Sequence, residues 1–277
     1  MAARSTAAAA ALAALLLAAA MPAGAAPAEA VDRSVLRVCA DPSSLPYSDQ
    51  AGEGFENKIA ELLAQSLHVP VRYTWYPDST GFMRNTLMAK RCDLVMGTIM
   101  GNDMVQGSNP YYHSAFALVY RKSGGPAPAS LDDPVLASAR IGIVAGTPPA
   151  TLLAMRGLLP QVHSYELVTD TRANLPARQL VEDVAAGKLD VGIVWGPIAG
   201  YYARHAAVPL AVVPLRSDPD APVKLDFLIT MGMRHNEPQW RHDINRLIGE
   251  NRAAIDRILA DYGVPLLDER GEPRPPP

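Results

Sequence analysis

The feature that most constrains the fold is an order of elements that occurs twice. Short apolar runs alternate with amphipathic stretches from Val35 to Met96, and the same alternation begins again at Ile141 and continues to Val194. In the first series residues 35–40 read as a strand, and Phe55, Ile59, Leu62, Leu63 and Leu67 fall on one helical face behind Gly54. Residues 69–75 then read as a strand, 81–91 as a helix and 94–96 as a buried third strand. In the second series a strand over 141–144 leads through Gly146-Thr147-Pro148-Pro149 into a helix ending at Met155. A strand over 165–168, a helix over 177–186 and a strand over 191–194 follow. A parallel neighbour requires a crossover that a helix supplies, so this alternation builds parallel sheet. Two such series in one chain predict two similar lobes.

Two proline-rich stretches separate the series. Residues 123–128 follow a strand over 116–120; residues 213–222 lead into a strand over 225–233 and one long C-terminal helix. In that helix Trp240, Ile244, Leu247, Ile248, Ile255, Ile258 and Leu259 lie close to one stripe. The chain is therefore expected to leave lobe one, build lobe two and return. Lobe one covers 33–121 and 222–268, lobe two covers 122–221, and the tail 269–277 is expected to be disordered. Ligands of open α/β sheets sit beyond the carboxyl ends of the strands, so facing lobes share a central cleft.

The N-terminus carries Arg4, an apolar run over residues 7–20 and the small-residue site Ala23-Gly24-Ala25, which is the pattern of a secretory signal peptide over 1–25 cleaved after Ala25. The run is too short for an anchor, which needs about 20 apolar residues. The rest of the chain is expected to be soluble, outside the cytoplasm and not inserted in a membrane. Twenty-five basic against 28 acidic side chains leave no surplus of cations for a phosphate backbone, so nucleic acid is an unsuitable partner. Two cysteines exclude a disulfide framework and a four-thiolate zinc site. Cys39 stands near the end of strand one and Cys92 at the start of strand three. In parallel neighbours this offset separates the Cα atoms by about 10 Å at the usual rise. A bridge tolerates only about 7 Å; the spacing argues against one unless a local bulge intervenes.

The pieces Leu36-Arg37-Val38 with Asp41, Gly54-Phe55-Glu56, Cys92-Asp93-Leu94-Val95, Pro110-Tyr111-Tyr112 and Gly187-Lys188-Leu189-Asp190-Val191, taken in order, resemble the type II periplasmic binding proteins. The strings Leu36 to Pro42, Gly81 to Leu87, Gly146 to Ala150, Val194 to Tyr202 and Asp261 to Leu267 are similar to the quinoprotein dehydrogenase-associated binding proteins, the MoxJ and XoxJ family, over essentially 36–267. This resemblance implies an α/β fold of two lobes around a cleft with two hinge crossings. It further implies a non-catalytic periplasmic accessory or chaperone protein of a PQQ-dependent methanol dehydrogenase, with that enzyme and its cytochrome c as partners and no cofactor of its own.

Amino-acid receptors of this fold resemble a two-part clamp, with an arginine after the third strand for the carboxylate and an acid in lobe two for the ammonium. Residues 98–104 contain neither Arg nor Lys, and the acid position falls on Trp195. A buried zwitterion with neither charge answered would cost several kcal/mol per ion, so an amino-acid receptor is rejected. The positions expected at the cleft are Asp41, Leu45, Pro46, Tyr47, Met100, Tyr111, Tyr112, Thr147, Trp195, Pro197, Tyr201 and Tyr202. Their aromatic bias suits capture of an apolar segment of the dehydrogenase or a flat ligand. Delivery of the tricarboxylate quinone would require several cations, and Arg84 is the single candidate anion contact. The six histidines are scattered without metal-ligand spacing. His113 reads as an ordinary surface or hinge residue. Asp41 reads as the cap of the turn at Pro42, and Glu56 as a first-turn acid favoured by the helix dipole. No nucleophile stands in a catalytic motif. The alternative functions are a solute receptor for a small ligand that is not an amino acid and, below it, an enzyme on the same fold.

Overall fold

The computed structural model describes residues 29–167 and 170–275; the expected signal peptide over 1–25 lies outside them. The first lobe opens with β1 (Leu36–Ala40), the short pair β2 (Ser43–Ser44) and β3 (Ser48–Asp49), helix α1 (Phe55–Leu67) and β4 (Val71–Trp75). It continues with α2 (Phe82–Asn85), β5 (Leu94–Ile99), β6 (Gln106–Gly107) and β7 (Tyr112–Arg121). The second series is β8 (Ile141–Val144), α3 (Pro148–Met155), β9 (Val162–Tyr165), α4 (Pro176–Ala185), β10 (Val191–Trp195), α5 (Gly196–Arg204) and β11 (Leu210–Pro214). The chain closes with β12 (Asp226–Met233), α6 (Pro238–Glu250) and α7 (Arg252–Asp261).

Each series builds the parallel sheet its pattern predicts. β1 lies between parallel β4 and β5, and β8 lies between parallel β9 and β10. The link between them is β7. Its residues Tyr112 to Ala115 pair antiparallel with β12, while Phe116 to Tyr120 pair antiparallel with β10 and β11. One ten-residue strand thus serves both sheets, giving the order β4-β1-β5-β12-β7-β10-β8-β9. The first crossing therefore falls between Ala115 and Phe116, not at the expected boundary after residue 121, and strand 116–121 belongs with the second sheet. An uninterrupted run of small and apolar residues, HSAFALVY, needs no loop to pass from one core to the other.

The first lobe buries Phe55, Ile59, Leu63, Tyr111, Trp240, Ile244 and Leu247 in one core. The second buries both faces of its sheet. Ile141, Ile143 and Ile193 point to one side with Leu136 and Leu153, and Val144 and Val194 point to the other with Leu180 and Val184; that division is the two-residue period of a strand buried on both faces. In the first lobe the carboxylate of buried Asp93 accepts hydrogen bonds from Arg37 (2.6 and 2.7 Å) and Arg234 (2.6 Å). Arg234 also donates to Glu237 at 2.9 Å, so each buried charge is answered.

Several expected elements shift. Cys39 and Cys92 are joined, with Cα atoms 5.5 Å apart. The offset argument placed Cys92 in line with β5. It instead precedes that strand in a loop packed over the sheet face with Phe82 and Leu87, so it approaches Cys39 from above the sheet. The helix expected over 81–91 ends at Asn85, because the Thr86 hydroxyl donates to the Phe82 carbonyl (2.6 Å) and Lys90 turns the chain at φ +58°. The strand expected over 165–168 is Val162–Tyr165, its register fixed by parallel pairing of Val162 with Ile141. The single C-terminal helix breaks at Asn251, whose amide donates to the Leu247 carbonyl at 2.9 Å. Residues 269–275 were expected to be disordered, yet Leu267 bridges Pro273 and Arg274 pairs with Asp256 at 2.8 Å.

Candidate functional site

A cavity of about 430 Å³ lies where the carboxyl ends of β1 and β5 meet β7, β10 and β12. One wall is aromatic. Trp195, the last residue of β10, packs edge-on to Phe116 (5.4 Å between centroids) and Phe227 (5.9 Å), so rings from β7, β10 and β12 form one surface. Facing it are Tyr47, Phe82, Met83, Val95, Ile99, Tyr112 and Ile229. The polar contributions come from Asp41, Ser44, Ser48, Glu56, Asp78 and Thr98. Among the described residues lining this cavity there is no Lys, Arg or His.

Glu56 is the chemically distinctive group. It stands in the first turn of α1, as its sequence position suggests, but its side chain turns inward over β5 instead of outward to solvent. Its Oε1 lies only 2.4 Å from where a Cβ would stand on Gly97, so glycine at that position is what leaves room for the carboxyl. The helix dipole favours the ionised form, yet burial outweighs it; burial first, and the nearby Asp78 second, push Glu56 up to about 8. A carboxyl shifted this far is mainly protonated at pH 7. Burial raises the Tyr47 and Tyr112 hydroxyls well above their usual range as well, and Glu56 adds to both.

Asp41 plays another part. It caps the turn at Ser43 N (2.8 Å), as expected, and its carboxylate also accepts from the Thr171 hydroxyl at 2.8 and 3.0 Å. Tyr202 Oη donates to the Leu45 carbonyl at 3.0 Å. Both contacts join the first lobe to the second, so the cleft is closed by side chains from opposite sides. Leu45, Thr147 and Tyr202 line an adjoining space of about 460 Å³, which shares Tyr47, Phe116 and Trp195 with the first.

Other expected cleft residues lie elsewhere. Tyr111 is fully buried in the first core, because the chain enters β7 beneath α1. Pro197 is buried in the first turn of α5, and Tyr201 faces away from the cavity, stacked on Tyr262 at 5.8 Å. Met100 is exposed on the turn after β5, beside half-exposed Ile99 and Met104, and so belongs to the rim. Arg84 is exposed on α2 and lines neither space. Phe116, Phe227, Met83, Asp78 and the inward turn of Glu56 are not among the features expected of the cleft from sequence. The glycine at Gly97, two residues before the end of β5, was the available signal that something approaches the strand closely.

Among the described residues no group of three His, Cys, Asp or Glu side chains could hold a metal ion, and no helix is long and apolar enough to cross a membrane. His113 stands where β7 and β12 pair, in contact with Asp226 (2.6 Å) and the Asp268 carbonyl (2.8 Å).

The model of bacterial extracellular solute-binding proteins, family 3, matches residues 36–264. The crystal structure of periplasmic binding protein XoxJ from Methylobacterium extorquens AM1 is 40% identical, covers 84% of this chain and all of its own, and superposes with a TM-score of 0.72. The structure of MxaJ from Methlophaga aminisulfidivorans MPT is 27% identical over 84% of this chain and all of its own, with a TM-score of 0.73. Protein MoxJ of Methylorubrum extorquens is 29% identical over 88% of this chain and 85% of its own. The chain belongs to the family 3 extracellular solute-binding proteins and, within them, to the MoxJ/XoxJ family of periplasmic binding proteins.

Proposed function

We propose that this is a non-catalytic periplasmic accessory protein of a PQQ-dependent methanol dehydrogenase, and that the opened cleft engages an apolar segment of that enzyme. The observation that carries the reading is the lining of the cleft. Aromatic and aliphatic side chains occupy it, and neither residues 98–104 nor Trp195 brings in the charges that an amino-acid clamp needs. Thr98 is committed to Thr230, its hydroxyl 2.9 Å from that of its partner. Ile99 at the edge of the cavity and Met100 and Met104 beyond it are all at least half exposed and continue the apolar surface to the rim. Exposed Met and aliphatic side chains beside an aromatic pocket suit a protein partner that docks and is released. Membership of the MoxJ/XoxJ family supports the choice of partner, with the dehydrogenase's cytochrome c as a further candidate.

The account is tested by purifying the dehydrogenase from cells with and without this protein and measuring quinone content and activity. The expected result is cofactor-poor, weakly active dehydrogenase in its absence. A dehydrogenase that matures fully without it contradicts the accessory role. The closed cavity favours a second reading, reception of a small ligand that is not an amino acid, because about 430 Å³ holds a compact molecule and not an extended peptide.

A further inference from the structure

We infer that the closed cavity is a binding site for a small organic cation, an alkylammonium without a carboxylate. This goes beyond the dehydrogenase reading and does not depend on it. Three observations converge. The first is a cavity of about 430 Å³ lined by several rings: Trp195 in edge contact with Phe116 and with Phe227, together with Tyr47 and Tyr112. Aromatic faces attract a desolvated cation through their quadrupoles, and quaternary ammonium groups are recognised by such cages. The second is the sign of the charged groups. Asp41, Glu56 and Asp78 line the space and no basic side chain does, so an anion or a zwitterion meets repulsion or an unanswered carboxylate. The third is that Glu56 reaches into the space over Gly97 while its carboxyl takes part in no hydrogen bond or ion pair among the described residues; its backbone N–H is already committed to the Tyr47 carbonyl at 2.9 Å.

The acids do not gather closely enough to chelate a metal, which separates this arrangement from an inorganic-ion site. Asp41 is already held by Ser43 N, Asp78 N and Thr171, leaving the carboxyls of Glu56 and Asp78 as the available counter-charges, of which Glu56 reaches into the space over Gly97. The titratable groups around Glu56 are Asp41 and Asp78 from the loops after β1 and β4, Tyr47 before α1, Tyr73 on β4, and Tyr111 and Tyr112 at the start of β7. All are acids or phenols, so with no cation beside it Glu56 keeps its proton, and an entering cation stabilises its carboxylate and expels the proton.

The test is calorimetric titration of the exported protein with choline, with its uncharged isostere 3,3-dimethylbutan-1-ol and with the carboxylate-bearing glycine betaine, at pH 7 in buffers of different ionisation enthalpy. The inference expects choline to bind at least about tenfold more tightly than either comparison compound, and to release close to one proton per molecule bound. Glu56→Gln should remove the proton release and weaken choline by about tenfold or more, and Trp195→Ala should weaken choline without abolishing proton release. Equal binding of choline and the isostere, tighter binding of betaine, or no choline binding up to about 10 mM overturns it. So does an unchanged choline affinity in the Glu56→Gln protein.

Discussion

Replacing Glu56 by glutamine should stabilise the protein, and by more as the pH rises. An unfolded glutamate loses its proton near 4.5, whereas the folded protein holds the Glu56 proton up to about 8. Between those values the unfolded state has released a proton that the native state retains, so rising pH favours unfolding. The cost is absent below the unfolded value, grows by about 1.4 kcal/mol per pH unit, and levels off above the folded one. From pH 5 to pH 8 this amounts to about 3 kcal/mol. Glutamine occupies nearly the same volume over Gly97 and does not titrate, so the penalty vanishes in the variant while titrating groups that do not face Glu56 cancel between the two proteins. Urea unfolding of both proteins at pH 5, 6, 7 and 8 reads the effect directly. The variant's advantage should widen by about 3 kcal/mol across that range. Parallel stability curves would mean that Glu56 is already ionised in the native state and would contradict its upward shift.

Gly97→Ala should cost about 1–3 kcal/mol by forcing the Glu56 carboxyl aside, and most of that loss should disappear in a Glu56→Ala background; a thermal melt of the four proteins checks it. Removing the bridge with Cys39→Ser and Cys92→Ser together frees a link between residues 53 apart in sequence, so stability should fall by about 4 kcal/mol on loop entropy. The denatured, unreduced wild type should titrate no free thiol. Thr171→Val and Tyr202→Phe each delete one hydrogen bond between the lobes, worth about 1 kcal/mol. The double variant should populate an open form with a larger radius of gyration in solution scattering, and an unchanged radius would mean that these contacts do not hold the cleft shut.

Much of the framework was legible because it rests on periodicity. The face of Phe55, Ile59 and Leu63, the apolar strands at Leu36 and Ile141, and the twofold order of elements follow from local pattern, and local pattern selects a parallel α/β sheet. What was not legible depends on three-dimensional placement. Whether strand 116–121 served the first or the second sheet turned on which partners β7 found, and no residue within it records that. The Cys39–Cys92 bridge required a loop to pass over a sheet face, which an in-plane spacing argument cannot represent. At the site, Trp195, Tyr47, Tyr112 and Asp41 were found by their position at strand ends. Phe116 and Phe227 were missed because they lie within strands, and Tyr111 was included although its neighbour Tyr112 is the one that faces the cavity. Glu56 reads from sequence as a first-turn acid favoured by the helix dipole; only the vacant Cβ position at Gly97 shows that its carboxyl turns inward.

The most direct measurement of the central claim is the affinity of the purified protein for a PQQ-dependent methanol dehydrogenase, determined for wild type, Trp195→Ala and Arg84→Ala. Trp195 stands at the centre of the aromatic wall and Arg84 is exposed on α2 away from the cavity. The account predicts a loss of about tenfold or more for Trp195→Ala, as for a buried aromatic anchor, and no change for Arg84→Ala. Equal affinities for wild type and Trp195→Ala, or no measurable association with the wild-type protein, would contradict it.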